Sequence, residues 1–311
     1  MSPSIRAVWS PYLGLALLTV LLFTALQAFN AFYGGILASI LIWTVATSGL
    51  NVVAGLGGYP SLMQGGFYGL GAYASTLALT HHLPFAVAIL AAIAVAAAAG
   101  LVVGVVFSRT RGQYFAIGTL FFGVVIALGL TNAQGLTGGA LGLSVTFALP
   151  GNTALNALIA ASAGAAMILL QFLSRRRIGL RLATVREDED LAEHLGVPTA
   201  RTKLIGFLIS AAIGGYAGVL IAQYNGAISP DLFNFTVGFV MFVALSVGGP
   251  GRVLGPLLGS ALIVGIPDLL NLSSGIGLLL VGLIFIAIII AVPDGMMGLF
   301  DRLASTIGWR A

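Results

Sequence analysis

Few residues in this 311-residue chain could do chemistry. There is no cysteine, and the three histidines are His81, His82 and His194. Lacking cysteine, the chain has no thiol nucleophile, disulfide or Cys-ligated metal. His81 and His82 are adjacent and have no carboxylate nearby, a poor arrangement for holding an ion. No His-Glu-x-x-His, Gly-x-Ser-x-Gly or phosphate-loop pattern occurs. Catalytic groups, metal ligands and a nucleotide site are therefore not expected, and the chain reads as no enzyme. Polar chemistry concentrates instead at 175–203, which holds seven of the 13 Lys/Arg and five of the nine Asp/Glu in a chain that is only 7% charged.

The local pattern within 175–203 predicts a short helix. Thr184-x-x-Glu187 fits a capping box, and Asp188 adds negative charge to the first turn. Gly196 suits the left-handed position after a helix and Pro198 prevents continuation. A helix over 185–195, within an element spanning about 184–196, follows. Leu191, Ala192 and Leu195 form its narrow apolar stripe, with Arg186, Glu187, Asp188, Glu193 and His194 around it. Such an element suits insertion into a groove of a partner protein; a solvated helix lying on lipid headgroups fits the same residues. Arg175, Arg176, Arg177 and Arg181 read as anchors for the end of the preceding helix.

The elements that must position this helix are apolar. The chain is 59% hydrophobic, with a mean hydropathy of +1.09, which excludes an ordinary soluble domain. Runs at 11–29, 32–57, 61–80, 84–107, 114–134, 153–174, 203–225, 234–248, 252–271 and 275–292 give about ten candidate spans of a hydrocarbon core roughly 30 Å thick. They are continuously apolar rather than alternating, so an all-α polytopic bundle is expected and a β-barrel is not. Residues 1–10 lack the small-residue cleavage site of a secretory signal, so 11–29 reads as a retained signal-anchor. No loop is long enough for a soluble domain, and 1–311 reads as one membrane domain. With 175–203 in the cytoplasm, all 13 basic residues, from Arg6 to Arg310, fall on the inner side. Both termini are then cytoplasmic, the positive charge favours the lipid bilayer surface, and no nucleic-acid-binding face exists.

Glycines at small-xxx-small spacing predict close helix packing: Gly65/Gly69, Gly100/Gly104, Gly214/Gly218 and Gly251/Gly255/Gly259. Gly248-Gly249-Pro250-Gly251, ahead of Pro256, predicts a kinked or re-entrant span there. Outside the charged segment the acids are Asp231, Asp268, Asp294 and Asp301, all near predicted span ends, and basic residues meet the predicted spans only at their first positions, Lys203 and Arg252. That is sparse equipment for an ion-coupled carrier. A chain that pumps solute with these residues draws its energy from another subunit, and the charged helix is the natural entry point.

The stretch 186–197, followed by Lys203-Leu204-Ile205-Gly206-Phe207, resembles the coupling segment of the LivM-type permease of branched-chain amino acid ABC importers. Gly226-Ala227-Ile228-Ser229-Pro230-Asp231, Leu245-Ser246-Val247-Gly248-Gly249-Pro250-Gly251, Asn51-Val52-Val53-Ala54-Gly55, Arg111-Gly112-Gln113-Tyr114-Phe115 and Leu136-Thr137-Gly138-Gly139 are similar to that family in order and spacing. The resemblance covers roughly 45–295. It implies a multi-pass permease of the bacterial inner membrane that works with a second homologous permease, two cytoplasmic ATPases and a periplasmic substrate-binding protein. ATP and Mg would sit on the ATPases, with no cofactor on this chain. The segment from Arg186 to Gly196 would dock into an ATPase.

One departure bears on the cargo. Where the family typically carries a His two or three residues before its Phe-Phe-Gly stretch, this chain has Gln64-Gly65-Gly66. Asn51, Gln64, Gly65, Gly66, Tyr73 and Thr137 are the candidates for lining a translocation pathway; hydrogen bonding between helices is the competing role for the polar ones. Small, neutral groups suit branched-chain or other small neutral or zwitterionic amino acids, and urea, short amides or another small organic solute fit the same family. An ion-coupled secondary carrier and a scaffold without a solute path are the competing classes.

Overall fold

The computed structural model describes residues 3–110, 112–271, 274–291 and 295–298. Arg111, Asp294, Asp301, Arg302 and Arg310 lie outside the described residues, so the inward placement expected for those arginines is not addressed by it. The first two helices are α1 (Pro3–Ala28) and α2 (Ala31–Leu50), the latter running on into a π-helical turn at Asn51–Leu56. Then come α3 (Gln64–Thr80), α4 (Phe85–Phe107), α5 (Gln113–Asn132) and a short α6 (Gln134–Thr137). The charged region follows α7 (Asn152–Arg175) as α8 (Arg177–Glu187) and α9 (Glu189–His194). The chain continues through α10 (Thr199–Asn225), α11 (Phe235–Gly248), α12 (Gly255–Ser260), α13 (Ile266–Leu269) and α14 (Ser274–Ala291). The only strands among the described residues, Leu143–Ser144 and Ala227–Ile228, pair antiparallel and join two loops.

Each apolar run read from the sequence is helical. Among the described residues, seven segments are long and apolar enough to cross a membrane: α1 from Pro11, α2 with its π-turn, α4, α5, α7, α10 and 230–248. The span count by this criterion is thus seven rather than about ten. α3, at 17 residues, measures about 25 Å, short of the hydrocarbon core. Its composition reflects burial inside the bundle: thirteen of its residues are buried, Gln64 and Phe67 among them. The segments Gly255–Leu269 and Gly275–Ile288 are shorter apolar helices.

α10 runs through the centre against α2, α3 and α4, while α1 packs at the edge on α7. The small-residue faces explain the closeness. A Cβ at Gly71 would collide with the Gly215 backbone, and one at Gly218 with the Tyr68 carbonyl. Lipid supplies no hydrophobic drive between helices, so this contact and the van der Waals packing it permits hold α3 to α10. Gly71→Leu is expected to destabilise the protein by at least the roughly 3 kcal/mol at the top of the overpacking range. The check is its thermal unfolding midpoint in detergent against Leu77→Ala on the same helix.

Two expectations are corrected here. Gly251 does not share a helical face with Gly255 and Gly259: it precedes the helix, with φ +83°, and only the latter two pack against the end of α11. The expected interruption lies at 249–254, between α11 and α12, and a π-helical turn at Ala261–Gly265 follows between α12 and α13. Secondly, α10 begins four residues before the predicted span, which places Lys203 inside the helix and only 2% exposed. A basic residue does therefore lie within a long apolar helix.

Candidate functional site

The two ends of the bundle differ in chemistry. At one end meet the π-turn after α2, the Thr110 carbonyl, α8, α9, the start of α10 and the loop at 251–252. At the other meet the start of α2, the end of α10 and the loop carrying Phe147.

At the charged end the predicted single helix over 185–195 is two helices. Thr184 is not a cap: its Oγ1 donates to Leu180 O at 2.9 Å inside α8, and Glu187 ends that helix. The break comes at Asp188, whose extended backbone makes it the N-cap of α9 and whose Oδ1 accepts from Asp190 N at 2.9 Å and Leu191 N at 3.0 Å. The cause is burial. α8 inserts Gly179, Leu182 and Val185 into the bundle, and burying two aliphatic side chains contributes about 1.5–3 kcal/mol each, more than the ~1 kcal/mol of a Thr cap. The end of α9 is as expected: Gly196 takes φ +80°, with Gly196 N donating to Glu193 O and Val197 N to Ala192 O, a Schellman closure.

α9 is gripped from behind. Lys203 Nζ, buried in α10, pairs with Glu189 Oε1 and donates to Thr110 O at 3.2 Å. Thr199 Oγ1 donates to Glu193 Oε1 at 2.6 Å. Tyr59 OH donates to Lys203 O at 3.3 Å; burial first, and the Glu189 carboxylate second, push this phenol well above its ordinary range, so it stays a neutral donor. Ala192 is fully buried against the bundle, whereas Leu191 and Leu195 are 56% and 68% exposed on a helix otherwise covered with charge. Glu187, Asp188, Glu193, His194 and Gly196 share that exposure, and His194 Nδ1 lies 2.6 Å from the helix's own Asp190 O. Arg186 is exposed as well, and its guanidinium turns back to donate from Nη1 to Gly55 O at 2.7 Å.

The six pathway candidates are all buried. Gln64 Nε2 donates to Ala46 O at 2.8 Å and its Oε1 accepts from Ser210 Oγ at 3.0 Å, tying α2, α3 and α10 together. Asn51 spans to the distant loop, its Nδ2 donating to Arg252 O and its Oδ1 accepting from Gly251 N, both at 2.8 Å. Thr137 Oγ1 donates to Leu130 O at 2.6 Å. Tyr73 lies edge-on to Phe233, and its hydroxyl has no hydrogen-bond partner among the described residues. Gly65 and Gly66 provide close approach to Gly238 and to Gly123. The polar candidates Asn51, Gln64 and Thr137 thus spend their donors and acceptors inside the chain.

The cavity lies elsewhere. A space of about 790 Å³ opens at the end opposite α9, bordered by Gln27, Asn30, Asn152, Asn156, Gln223 and Tyr224 with apolar residues between them. None of the six candidates lines it. Its polar lining is amide and phenol, without a charged side chain. The signal in the sequence is the set of amides at the ends of three apolar runs, a pattern that hydropathy ignores.

The family described as branched-chain amino acid transport system / permease component matches residues 32–293. This chain belongs to that family. The LivM permease protein of the high-affinity branched-chain amino acid transport system of Salmonella typhimurium is 31% identical over 83% of this chain and 68% of its own length. LivH of the same kind of system in Escherichia coli is 32% identical over 43% of this chain and 44% of its own length. The xylose/arabinose import permease XylH of Sulfolobus acidocaldarius is 33% identical over 35% of this chain and 32% of its own length. The permease is therefore an integral inner-membrane subunit of the ATP-driven importer class and not itself an enzyme.

Proposed function

We propose that this permease imports branched-chain or other small neutral or zwitterionic amino acids, delivered by a periplasmic binding protein. It pairs with a second homologous permease, and likeness to both LivM and LivH supports such a pairing. Two cytoplasmic ATPases carrying ATP and Mg supply the energy, one of them gripping the face of α9. The exposed Leu191 and Leu195 carry this proposal. Apolar pairs four residues apart on a charged, capped helix fit a groove in a partner, and a helix resting in water has no use for them.

The cavity supports the cargo class. An uncharged amide and phenol lining suits a solute without net charge, whereas a strongly charged solute would require a counter-charge. The same lining favours one alternative cargo, urea or a short amide carried by the same machinery.

Reconstitution tests the class. Proteoliposomes holding this chain, its partner permease and both ATPases are expected to accumulate leucine only with ATP and the binding protein. Uptake driven by a proton or sodium gradient through this chain alone would overturn the proposal in favour of a secondary carrier. With ATP-driven uptake established, competition by valine against acetamide separates the two cargoes.

A further inference from the structure

We infer that the π-helical turn Asn51–Leu56 is the joint through which movement of the docking helix α9 enters the membrane bundle, with Arg186 and Asn51 as its positioning residues. The inference rests on the proposed ATPase contact at α9.

Arg186 lies in the last turn of α8, two residues before Asp188, the N-cap of α9. It therefore travels with α9. Its bond to Gly55 O is charge-assisted, the stronger class of hydrogen bond, and it reaches a carbonyl in the last turn of a helix, where the intrahelical donors have run out. Asn51, at the start of the same turn, uses both ends of its amide on backbone 200 residues away, at Gly251 N and Arg252 O. Three segments interlock here with no spare volume. A Cβ at Gly55 would strike both Asn51 Oδ1 and Gly251 N, and one at Gly251 would come within 3.0 Å of Arg186 Nη1.

The turn is suited to a joint. A π-turn carries one extra residue per turn and marks a place where a helix shifts register while the ladder on either side persists. Above it α2 runs without proline from Leu50 to Ala31. At its far end Ala31, Gly34, Gly35 and Ala38 form one wall of the uncharged cavity. A pull on Gly55 by Arg186 is thus delivered along a single rod to the cavity wall. Lys203 plays a different part, since it ties α9 to α10 and the Thr110 carbonyl.

The native chain has no cysteine, so introduced pairs are unique label sites within it. Ala31→Cys, at the far end of α2, and Asn152→Cys, at the start of α7, place spin labels on two walls of the cavity in the intact importer, made with cysteine-free partners and held in nanodiscs. Their distance is measured with and without a non-hydrolysable ATP analogue, in the parent and with Arg186→Met or Asn51→Ala added. Both variants are expected to co-purify with the ATPases as the parent does. The nucleotide-dependent distance change should be lost, and solute moved per ATP should fall about tenfold, the factor that one charge-assisted bond commands. Arg186→Lys, which keeps a cationic donor, should recover part of both. Unchanged distance shifts and transport per ATP in Arg186→Met and Asn51→Ala would overturn the joint, and so would loss of the ATPases, which would put Arg186 in the docking surface. A parent chain that retains no ATPase would instead overturn the docking proposal beneath it.

Discussion

Leu191→Arg is expected to abolish binding of the ATPase to this permease and, with it, solute-stimulated ATP hydrolysis. Leu191 is exposed at a face that the rest of α9 leaves charged. Burying a leucine in a groove contributes about 1.5–3 kcal/mol. Losing it and forcing a guanidinium into the same space removes at least the upper end of that range, a factor of more than about a hundred in affinity. The fold should tolerate the change, because Leu191 does not contribute to the buried core whereas its neighbour Ala192 does. The measurement is ATPase co-purification beside size-exclusion behaviour of the permease alone. A variant that keeps its ATPase would remove the docking face from α9. Gly196→Trp adds bulk at the same face and strains a left-handed position, which costs a residue with a Cβ about 1–2 kcal/mol.

Glu189→Gln is expected to be the most destabilising single change at the charged end. Lys203 is 2% exposed, and Glu189 is its only carboxylate partner among the described residues. Removing one member of a buried pair leaves the other charge uncompensated, at a cost of about 3–5 kcal/mol. Thr110 O remains as an acceptor but carries no full charge. The double variant Glu189→Gln with Lys203→Met should recover most of the lost stability, since it removes the stranded ammonium as well. Thermal midpoints of the parent, the two single variants and the double variant form a cycle that measures the coupling directly. Additive single effects would mean that the pair contributes nothing, and the contacts of Thr199 and Ala192 would then outweigh it in holding α9. Loss of the clamp should also free α9 from α10, so transport is expected to fail in Glu189→Gln at temperatures where the bundle is still folded.

The pathway residues teach a narrower lesson. Asn51 and Gln64 are uncommon polar side chains in apolar runs, and polarity inside a membrane is costly enough to require a purpose. The structure gives Gln64 the purpose of a three-helix tie and Asn51 that of a tie to the 251–252 loop. Side chains whose donors and acceptors are already committed within the chain make poor ligands for a passing solute. Of the residues bordering the open cavity, Gln223 is committed in the same way, to Ala148 N and Thr146 O, whereas Asn152 and Asn156 sit in the first turns of α7, and polar residues at helix ends are too common in any membrane protein to stand out.

Sequence alone was enough to establish an all-helical membrane protein, the positions of its apolar runs and the one place where charge gathers, because lipid forces every backbone group into internal hydrogen bonds and makes each charge expensive. It also located the end of α9, since Gly196 and Pro198 act through local backbone geometry that no distant contact needs to supply. The start of that helix was beyond it. Thr184 and Asp188 are both good caps, and the choice fell to the burial of Leu182 and Val185 against helices far away in the chain. Tertiary structure likewise decided that Arg186 faces inward to Gly55, that Lys203 pairs with Glu189 and that the cavity lies opposite the charged end. Each of these joins residues 14 to about 200 positions apart, and which carbonyl a guanidinium reaches is set by how helices stack, a property that spacing along the chain does not encode.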